Sequence, residues 1–380
     1  MEINTTLILT VTFISLAIYF KFSTPNLSFA VYDRYNFGQS GNGFNPGKNH
    51  VNVLFFAYYR SGSTYLSQIL NYHPEIFYLF EPLYITNDHP SPEKAVKNYE
   101  ILQNYYSNCK LPLVDHYLTN KTIEKAKDNF PKLHLLRYCQ RAGLCFHYKS
   151  NLFKKEPFCN STISYRFKDL NANTLNKFCP AKTVKENLPY AEQHLCPNMP
   201  VRAAKIIRLR DINSIPKNLD IKTVQLIRDP RAVIASRNEI KPYRSNADII
   251  REAKNLCNSM NVAFDHRENN DLYLVRYEDF VLDPLMETKN ILDFIGLEMH
   301  QDVTNRFSRQ KRSASRFTTT RTRDKSIGSL TKFIFRINFE QIDVIQNTCS
   351  DFFENFKYKK ISLSQLDLMK NISVFESYLK

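Results

Sequence analysis

Residues Val51–Thr64 read VNVLFFAYYRSGST, a nearly continuous apolar run that ends in a short basic, hydroxyl-rich loop. A run with so little alternation is what a strand covered on both faces needs. Leu66, Ile69 and Leu70 follow at helical spacing, so Thr64–Asn71 is predicted to be a helix. The same grammar recurs along the chain. Ile76–Phe80 reads as a short strand leading into Glu81-Pro82, and Val224–Ile227 as a buried strand before a helix that starts near Arg231. Leu272–Arg276 is a further strand, and Asp283-Pro284 opens a helix that Gly296 would cap. Strands alternating with helices predict an α/β fold, a three-layer parallel sheet, with ligands beyond the carboxyl ends of the strands.

The loop Tyr59-Arg60-Ser61-Gly62-Ser63-Thr64 stands at such an end. Its backbone N–H groups, with those of the helix that follows, can turn toward an anion. Gly62 permits close approach and unusual dihedrals, and the hydroxyls of Ser61, Ser63 and Thr64 can donate. The loop lacks the GxxxxGK[ST] pattern of the ATP-binding P-loop. Its cation is Arg60, before the glycine, and no acidic strand end is clearly placed to hold Mg²⁺. Taken alone, RSGST also fits a tight turn capped by a hydroxyl.

A second segment, Thr223–Arg237 (TVQLIRDPRAVIASR), repeats the arrangement. Arg228 follows the strand, where a guanidinium can meet a phosphate bidentately. Asp229 reads as an orienting salt-bridge partner, Pro230 as the first helical residue, and Ser236 as a small hydroxyl able to share an anion with the arginine. A surface serine and a structural Arg–Asp pair are the plainer alternative. Together the two segments suit a nucleotide carrying phosphates at both ends.

Composition and the chain ends set the context. At 380 residues the chain can bury a full core, and its net charge of +15 favours acidic partners. Leu7–Phe20 carries no charge and, at ~1.5 Å per residue, covers ~21 Å of a ~30 Å hydrocarbon core. Extended over Ile3–Ser23, with Lys21 snorkelling, it reaches ~30 Å. A cleaved signal peptide ending at Ser28-Phe29-Ala30 and a buried core helix are the alternatives. Half of the glycines (Gly38, Gly41, Gly43 and Gly47) then form a flexible stem. The organisation is therefore a tail at 1–6, a transmembrane anchor at 7–23, a stem at 24–49, a lumenal domain at 50–360 with a disulfide-rich insertion at 84–200, and a C-terminal tail at 361–380. Cys109, Cys139, Cys145, Cys159, Cys179, Cys196, Cys257 and Cys349 form no CxxC pair, which argues against zinc and for disulfides in an oxidising lumen. Sequons at Asn120, Asn160 and Asn371 agree with that compartment. Arg306–Lys325 is strongly basic and reads as the lining of an anionic channel or as a solvated loop. A nucleic-acid protein fits the charge but not the anchor, cysteines and sequons.

In order along the chain, YRSGSTY, HPEIFYLFEPLY (His73–Tyr84), LIRDPRAVIASR (Leu226–Arg237), LVRYEDFVLDP (Leu274–Pro284) and DFIGL (Asp293–Leu297) resemble the Golgi carbohydrate 6-O-sulfotransferases. FYLFEPLY is most similar to the branch acting on keratan-type galactose or chondroitin-type N-acetylgalactosamine. The resemblance implies a fold related to P-loop nucleotide hydrolases and kinases, and a type II Golgi membrane protein. It also implies 3′-phosphoadenosine-5′-phosphosulfate (PAPS) as sulfuryl donor without a required metal, and a glycan or proteoglycan acceptor. Carried over, Tyr59, Arg60, Ser61, Gly62, Ser63, Thr64 and Tyr65 would bind the 5′-phosphosulfate side. Arg228, Asp229, Pro230, Arg231, Ala232, Val233, Ile234, Ala235 and Ser236 would bind the 3′-phosphate side, with Arg228 and Ser236 as main contacts. Arg60 is the expected partner of the leaving phosphate and Glu81 the expected general base, with His73 and His89 as lesser candidates. Relatives place tryptophan in and after the EPL segment; this chain has none, so Tyr84 or another aromatic would take any stacking role. A P-loop kinase predicts Mg²⁺ dependence and a lysine that is missing. A non-enzymatic lumenal glycan-binding protein leaves the two phosphate-shaped segments unexplained.

Overall fold

The computed structural model describes residues 50–83, 92–111, 187–207, 209–215, 217–307 and 330–378. The expected anchor and stem lie outside them, as do His89, four of the cysteines, the sequons at 120 and 160 and nearly all of the basic stretch. Among the described residues no helix is long and apolar enough to cross a membrane. The strands are β1 (Val51–Ala57), β2 (Ile76–Phe80), β3 (Val201–Ile206), β4 (Ile221–Ile227) and β5 (Leu272–Arg276). The helices are α1 (Ser63–Tyr72), α2 (Pro92–Asn108), α3 (Pro230–Asn238), α4 (Asn246–Asp265), α5 (Tyr277–Leu282), α6 (Pro284–Ile295), α7 (Phe339–Thr348), α8 (Ser350–Asn355) and α9 (Leu363–Tyr378). The segment read as a C-terminal tail is thus largely α9, with Leu366 and Met369 buried.

The chain divides into two compact units, with a boundary between Arg228 and Asp229 and a return to the first unit at Val262. The first holds a five-stranded sheet in the order β2-β3-β1-β4-β5, parallel throughout. Every residue of β2 and β3 is buried, as in a sheet covered on both faces. Helix α2 is pinned by the buried hydroxyls of Tyr105, which donates to the carbonyls of Phe77 and Ala203, and Tyr106, which donates to that of Val53. A disulfide between Cys109 and Cys196 closes the end of α2 onto the segment before β3.

Strand β3 is absent from the sequence-based expectations, and its charges explain why. Arg202 and Lys205 interrupt the apolar run VRAAKI, yet both are buried. Arg202 donates to the carbonyls of Cys196 and Tyr106, and its guanidinium bonds the His50 ring. Lys205 reaches a carboxylate at the end of β2. A charge with partners can occupy a central strand that a hydropathy pattern would reject.

The second unit is helical among its described residues, 229–261 and 330–378. Its centre is Arg231, which has no exposed surface. The guanidinium meets both carboxylate oxygens of Asp229 (Nη2 to Oδ2 2.7 Å, Nε to Oδ1 3.0 Å). It also donates to Gln346 Oε1 at 2.7 Å and to the Lys359 carbonyl at 3.1 Å. The rings of Phe333 and Phe353 lie 5.1 and 4.7 Å from its Cζ. Asp229 Oδ1 also caps α3 by accepting the Arg231 N–H at 2.8 Å, with Pro230 as the first helical residue. Cys257 and Cys349 form a buried disulfide between α4 and the junction of α7 and α8.

Removing Arg231 leaves a buried carboxylate without its principal counter-ion, which costs about 3–5 kcal/mol. Arg231→Ala is therefore expected to lower the urea midpoint of unfolding sharply. A midpoint within error of wild type would contradict this account.

Candidate active site

The site is built at the carboxyl end of the sheet, where β1, β2, β4 and β5 each release their chain. The β1 loop turns sharply. Arg60 has φ 69° and Gly62 has φ 90°, both left-handed. Tyr58 lies buried beneath; its carbonyl accepts from the Ser61 N–H at 3.0 Å and from Ser61 Oγ at 2.7 Å. The Ser61 hydroxyl, read as an anion donor, is therefore buried and turned inward to lock the turn. Tyr59, Arg60 and Thr64 are exposed, Ser63 is buried, and Tyr65 is half-buried with its ring 5.0 Å from that of Phe280. Gly62 is the N-cap residue of α1 and, as a glycine, supplies no side-chain cap to it. The Tyr65 N–H turns back to the Gly62 carbonyl at 3.0 Å, while the N–H groups that open a helix have no intrahelical acceptors and form the kind of donor set that an anion requires.

Gly62 is demanded by a neighbour as well as by its dihedrals. A Cβ at this position would lie 2.3 Å from Cε2 of Tyr277. Tyr277 is the first residue of α5, immediately beyond β5, and is nearly buried. The Arg228 guanidinium lies 4.3 Å from the centre of the same ring. Arg228 Nη1 donates to the Arg60 carbonyl at 3.1 Å, across 168 positions of sequence. The structure thus brings Arg60, Gly62 and Arg228 together, with Tyr277 among them. Tyr277 lies in the LVRYEDF stretch, but the sequence offered no role for it.

Other expected site residues stand differently. Asp229 pairs with Arg231, so it orients the buried arginine of the motif. Arg231, expected on the donor, is engaged inside the helical unit. Ala232, Val233, Ile234, Ala235 and Ser236 are all buried on α3 within that unit.

Glu81 ends β2 with φ 50°. Four non-glycine residues among those described have positive φ, and Arg60 and Glu81 are two of them. Such backbone costs energy and concentrates at functional sites. The Glu81 N–H donates to the Lys205 carbonyl at 2.8 Å, and Glu81 Oε1 accepts from Lys205 Nζ at 2.5 Å. That ammonium also sits 4.3 Å from the centre of the Phe80 ring. Since β3 alone separates β2 from β1, Glu81 stands two strand spacings, about 9–10 Å, from the end of β1. His73 is held through both ring nitrogens. Nδ1 accepts from the Glu75 N–H, while Nε2 donates to the Glu298 carbonyl at 2.9 Å. Burial holds its pKa below the ordinary value, so it serves as a neutral structural tie. Among the described residues no cluster of His, Cys, Asp or Glu could hold a metal.

The sequence profile named Sulfotransferase domain matches residues 51–362. The chain belongs to the sulfotransferase family. Carbohydrate sulfotransferase 1 of Danio rerio is 24% identical over 363 residues, covering 85% of this chain and 81% of that protein. The Homo sapiens protein of the same name is 25% identical, covering 85% and 82%. Carbohydrate sulfotransferase 3 of Homo sapiens is 24% identical, covering 81% and 67%. The resemblance read from the motifs is thereby borne out, and this sulfotransferase is an enzyme by family. Among solved structures, the sulfotransferase domain of the Synechococcus PCC 7002 olefin synthase aligns with a TM-score of 0.41 at 15% identity, covering 83% of this chain and 98% of that one. Retinol dehydratase in a complex with retinol and PAP aligns with a TM-score of 0.40 at 15% identity, covering 81% and 82%.

Substitution of Gly62 tests the close packing. In Gly62→Ala the added methyl group must displace the Tyr277 ring or the loop. Sulfotransferase turnover is expected to fall at least about 10-fold while the melting temperature drops only a few degrees. Wild-type turnover would show that the loop tolerates the shift.

Proposed function

We propose that this sulfotransferase moves a sulfuryl group from PAPS to the 6-hydroxyl of a galactose or N-acetylhexosamine residue in a keratan- or chondroitin-like glycan. The bond from Arg228 to the Arg60 carbonyl carries the reading, because it joins the two anion-binding segments at one end of one sheet. The names of the curated relatives support a carbohydrate acceptor. A type II Golgi location, with the domain in the lumen, follows from the motif resemblance and the apolar N-terminal segment.

PAPS supplies an activated sulfuryl group joined to phosphate through a bridging oxygen. The N-terminus of α1 and the Arg60 guanidinium would receive the 5′ side. Arg228 would meet the 3′-phosphate. Ser236 belongs to this assignment through its motif alone. In an in-line transfer the acceptor oxygen forms a bond to sulfur as the bond from sulfur to the bridging oxygen breaks. The electron pair leaves with adenosine 3′,5′-bisphosphate, and Arg60 would offset the growing charge. Glu81 would accept the hydroxyl proton. Lys205 engages Oε1, so Oε2 would take that proton.

Transfer of ³⁵S from labelled PAPS to a panel of small glycans tests the reading directly. Label should enter galactose- or N-acetylhexosamine-containing acceptors at the 6-position, with and without EDTA. Absence of transfer to every sugar would overturn it. Arg60→Ala should lower turnover by about 10²-fold or more, as loss of a transition-state donor does. Glu81→Gln should lower turnover about 10²-fold with donor affinity nearly intact. Equal activity in the glutamine variant would assign the base elsewhere.

A further inference from the structure

At the end of α1 away from the phosphate loop, two histidines close two turns in the same way. His73 Nδ1 accepts the Glu75 N–H at 3.3 Å, and His300 Nδ1 accepts the Asp302 N–H at 3.1 Å. An asparagine side chain commonly closes a turn by accepting the N–H two residues on. An imidazole in that role differs in one respect, because a proton on Nδ1 turns the acceptor into a donor. The His73 turn is short. Pro74 has no N–H, so the Glu75 N–H is the one backbone donor between His73 and Ile76. His73 is 3% exposed, and its Nε2 donates to the Glu298 carbonyl at 2.9 Å, which ties the turn to the segment after α6. The His300 ring lies 5.8 Å away, centre to centre, with the Asp302 carboxylate 3.7 Å from its Nδ1. Glu75 stands on the turn itself, and the Arg306 guanidinium carbon lies 5.4 Å from the ring centre of the neighbouring Tyr72. Burial holds the His73 pKa below its ordinary value; the Glu298 carbonyl and the Glu75 and Asp302 carboxylates pull it upward, and the His300 ring pulls it downward.

We propose that His73 is an acid-sensitive positioning residue: proton uptake at its Nδ1 opens the turn between α1 and β2 and slows sulfuryl transfer. Helix α1 runs from the phosphate loop to this turn, and β2 runs from the turn to Glu81. The Glu75 carbonyl accepts the Val201 N–H at 3.2 Å, so the turn also seats β2 on β3, whose Lys205 meets Glu81. With Nδ1 protonated, the Glu75 N–H faces a donor and the turn loses its closing bond. The helix that opens at the phosphate loop and the strand that delivers the carboxylate then lose their common tie. The folded ring takes up a proton less readily than the unfolded chain does, because its pKa is depressed. The stabilisation is therefore fully present above about pH 6.5, the ordinary value, and is lost as the pH falls from there through the folded pKa. The catalytic half of the proposal rests on the proposed transfer to a galactose or N-acetylhexosamine acceptor; the structural half does not.

The test follows the full chain, His73→Asn, His73→Gln and His300→Asn from about pH 8 to about pH 5, the range over which histidine charges. Asparagine keeps an acceptor for the Glu75 N–H without a titrating group, whereas glutamine keeps a donor for the Glu298 carbonyl and lacks the turn acceptor. The wild-type urea midpoint is expected to fall more steeply below about pH 6.5 than that of His73→Asn. Turnover is read as ³⁵S transfer from saturating PAPS to N-acetyllactosamine. Over the same range it should drop at least about threefold more in wild type than in His73→Asn. Titration of Glu81 is common to both proteins and cancels in that comparison. His73→Gln at about pH 8 should resemble wild type at about pH 5 in both readouts. Parallel pH profiles in wild type and His73→Asn would overturn the proposal, as would a glutamine variant with wild-type midpoint and turnover at the upper pH. Loss of the pH dependence in His300→Asn alone would overturn it by moving the titration to the other ring. A midpoint difference with no turnover difference would overturn the catalytic half. Where a His73 variant fails to melt cooperatively, hydrogen exchange of wild type decides. Protection of the Glu75 amide, corrected for its intrinsic rate, should fall at least about threefold from about pH 7.5 to about pH 5.5, and unchanged protection would overturn the latch. Wild type that sulfates no sugar would instead refute the acceptor reading, leaving midpoint and exchange to judge the turn.

Discussion

One hydrogen bond, from Arg228 to the carbonyl of Arg60, closes a gap of 168 positions in the chain. It exists because β1 and β4 are neighbours in a parallel sheet, so their carboxyl ends discharge two loops side by side. A parallel arrangement is what makes such a meeting possible: every strand delivers its following loop to the same edge. The glycine at position 62, the aromatic ring against it and the helix that the glycine opens are all arranged around that junction. At that junction backbone and guanidinium restrain each other.

The sequence was most legible where one signal dominated. Val51–Ala57, Ile76–Phe80 and Leu272–Arg276 emerge as strands with the expected ends, since uninterrupted apolar residues leave little choice. Asp283, Pro284 and Gly296 mark α6 as expected: Asp283 caps the start, and Gly296 ends it at φ 83°. Gly62 and Arg60 stood out through glycine scarcity and charge. Legibility failed where meaning depended on a distant partner. Strand β3 is disguised by Arg202 and Lys205, whose charges are neutral to the pattern only once Tyr106, Cys196 and Glu81 are known. Tyr277 offers no local sign that it will press on a residue more than two hundred positions earlier. Ser61 looks like a ligand donor until its acceptor, the carbonyl three residues back, is seen.

The two arginines of the Arg-Asp-Pro-Arg motif differ in burial. Arg228 is half-exposed at the strand end, while Arg231 has no exposed surface. Asp229 and Pro230 alone stand between them in the sequence. A buried guanidinium is a costly centre for a core unless every donor is used, and Asp229, Gln346 and the Lys359 carbonyl provide the acceptors. The conformation is specified through geometry, where aliphatic packing alone would tolerate slippage.

The acceptors on Gln346 and Lys359 lie 115 and 128 positions downstream of Arg231. A ribosome adding about 5–20 residues per second needs about 6–26 s to cover the longer interval. Through that time the nascent chain holds a completed β4 beside an arginine whose burial site has not been made. The helical unit can therefore close only once Lys359 has been made, and any premature stop before that residue strands a charge that the folded unit never shows to water.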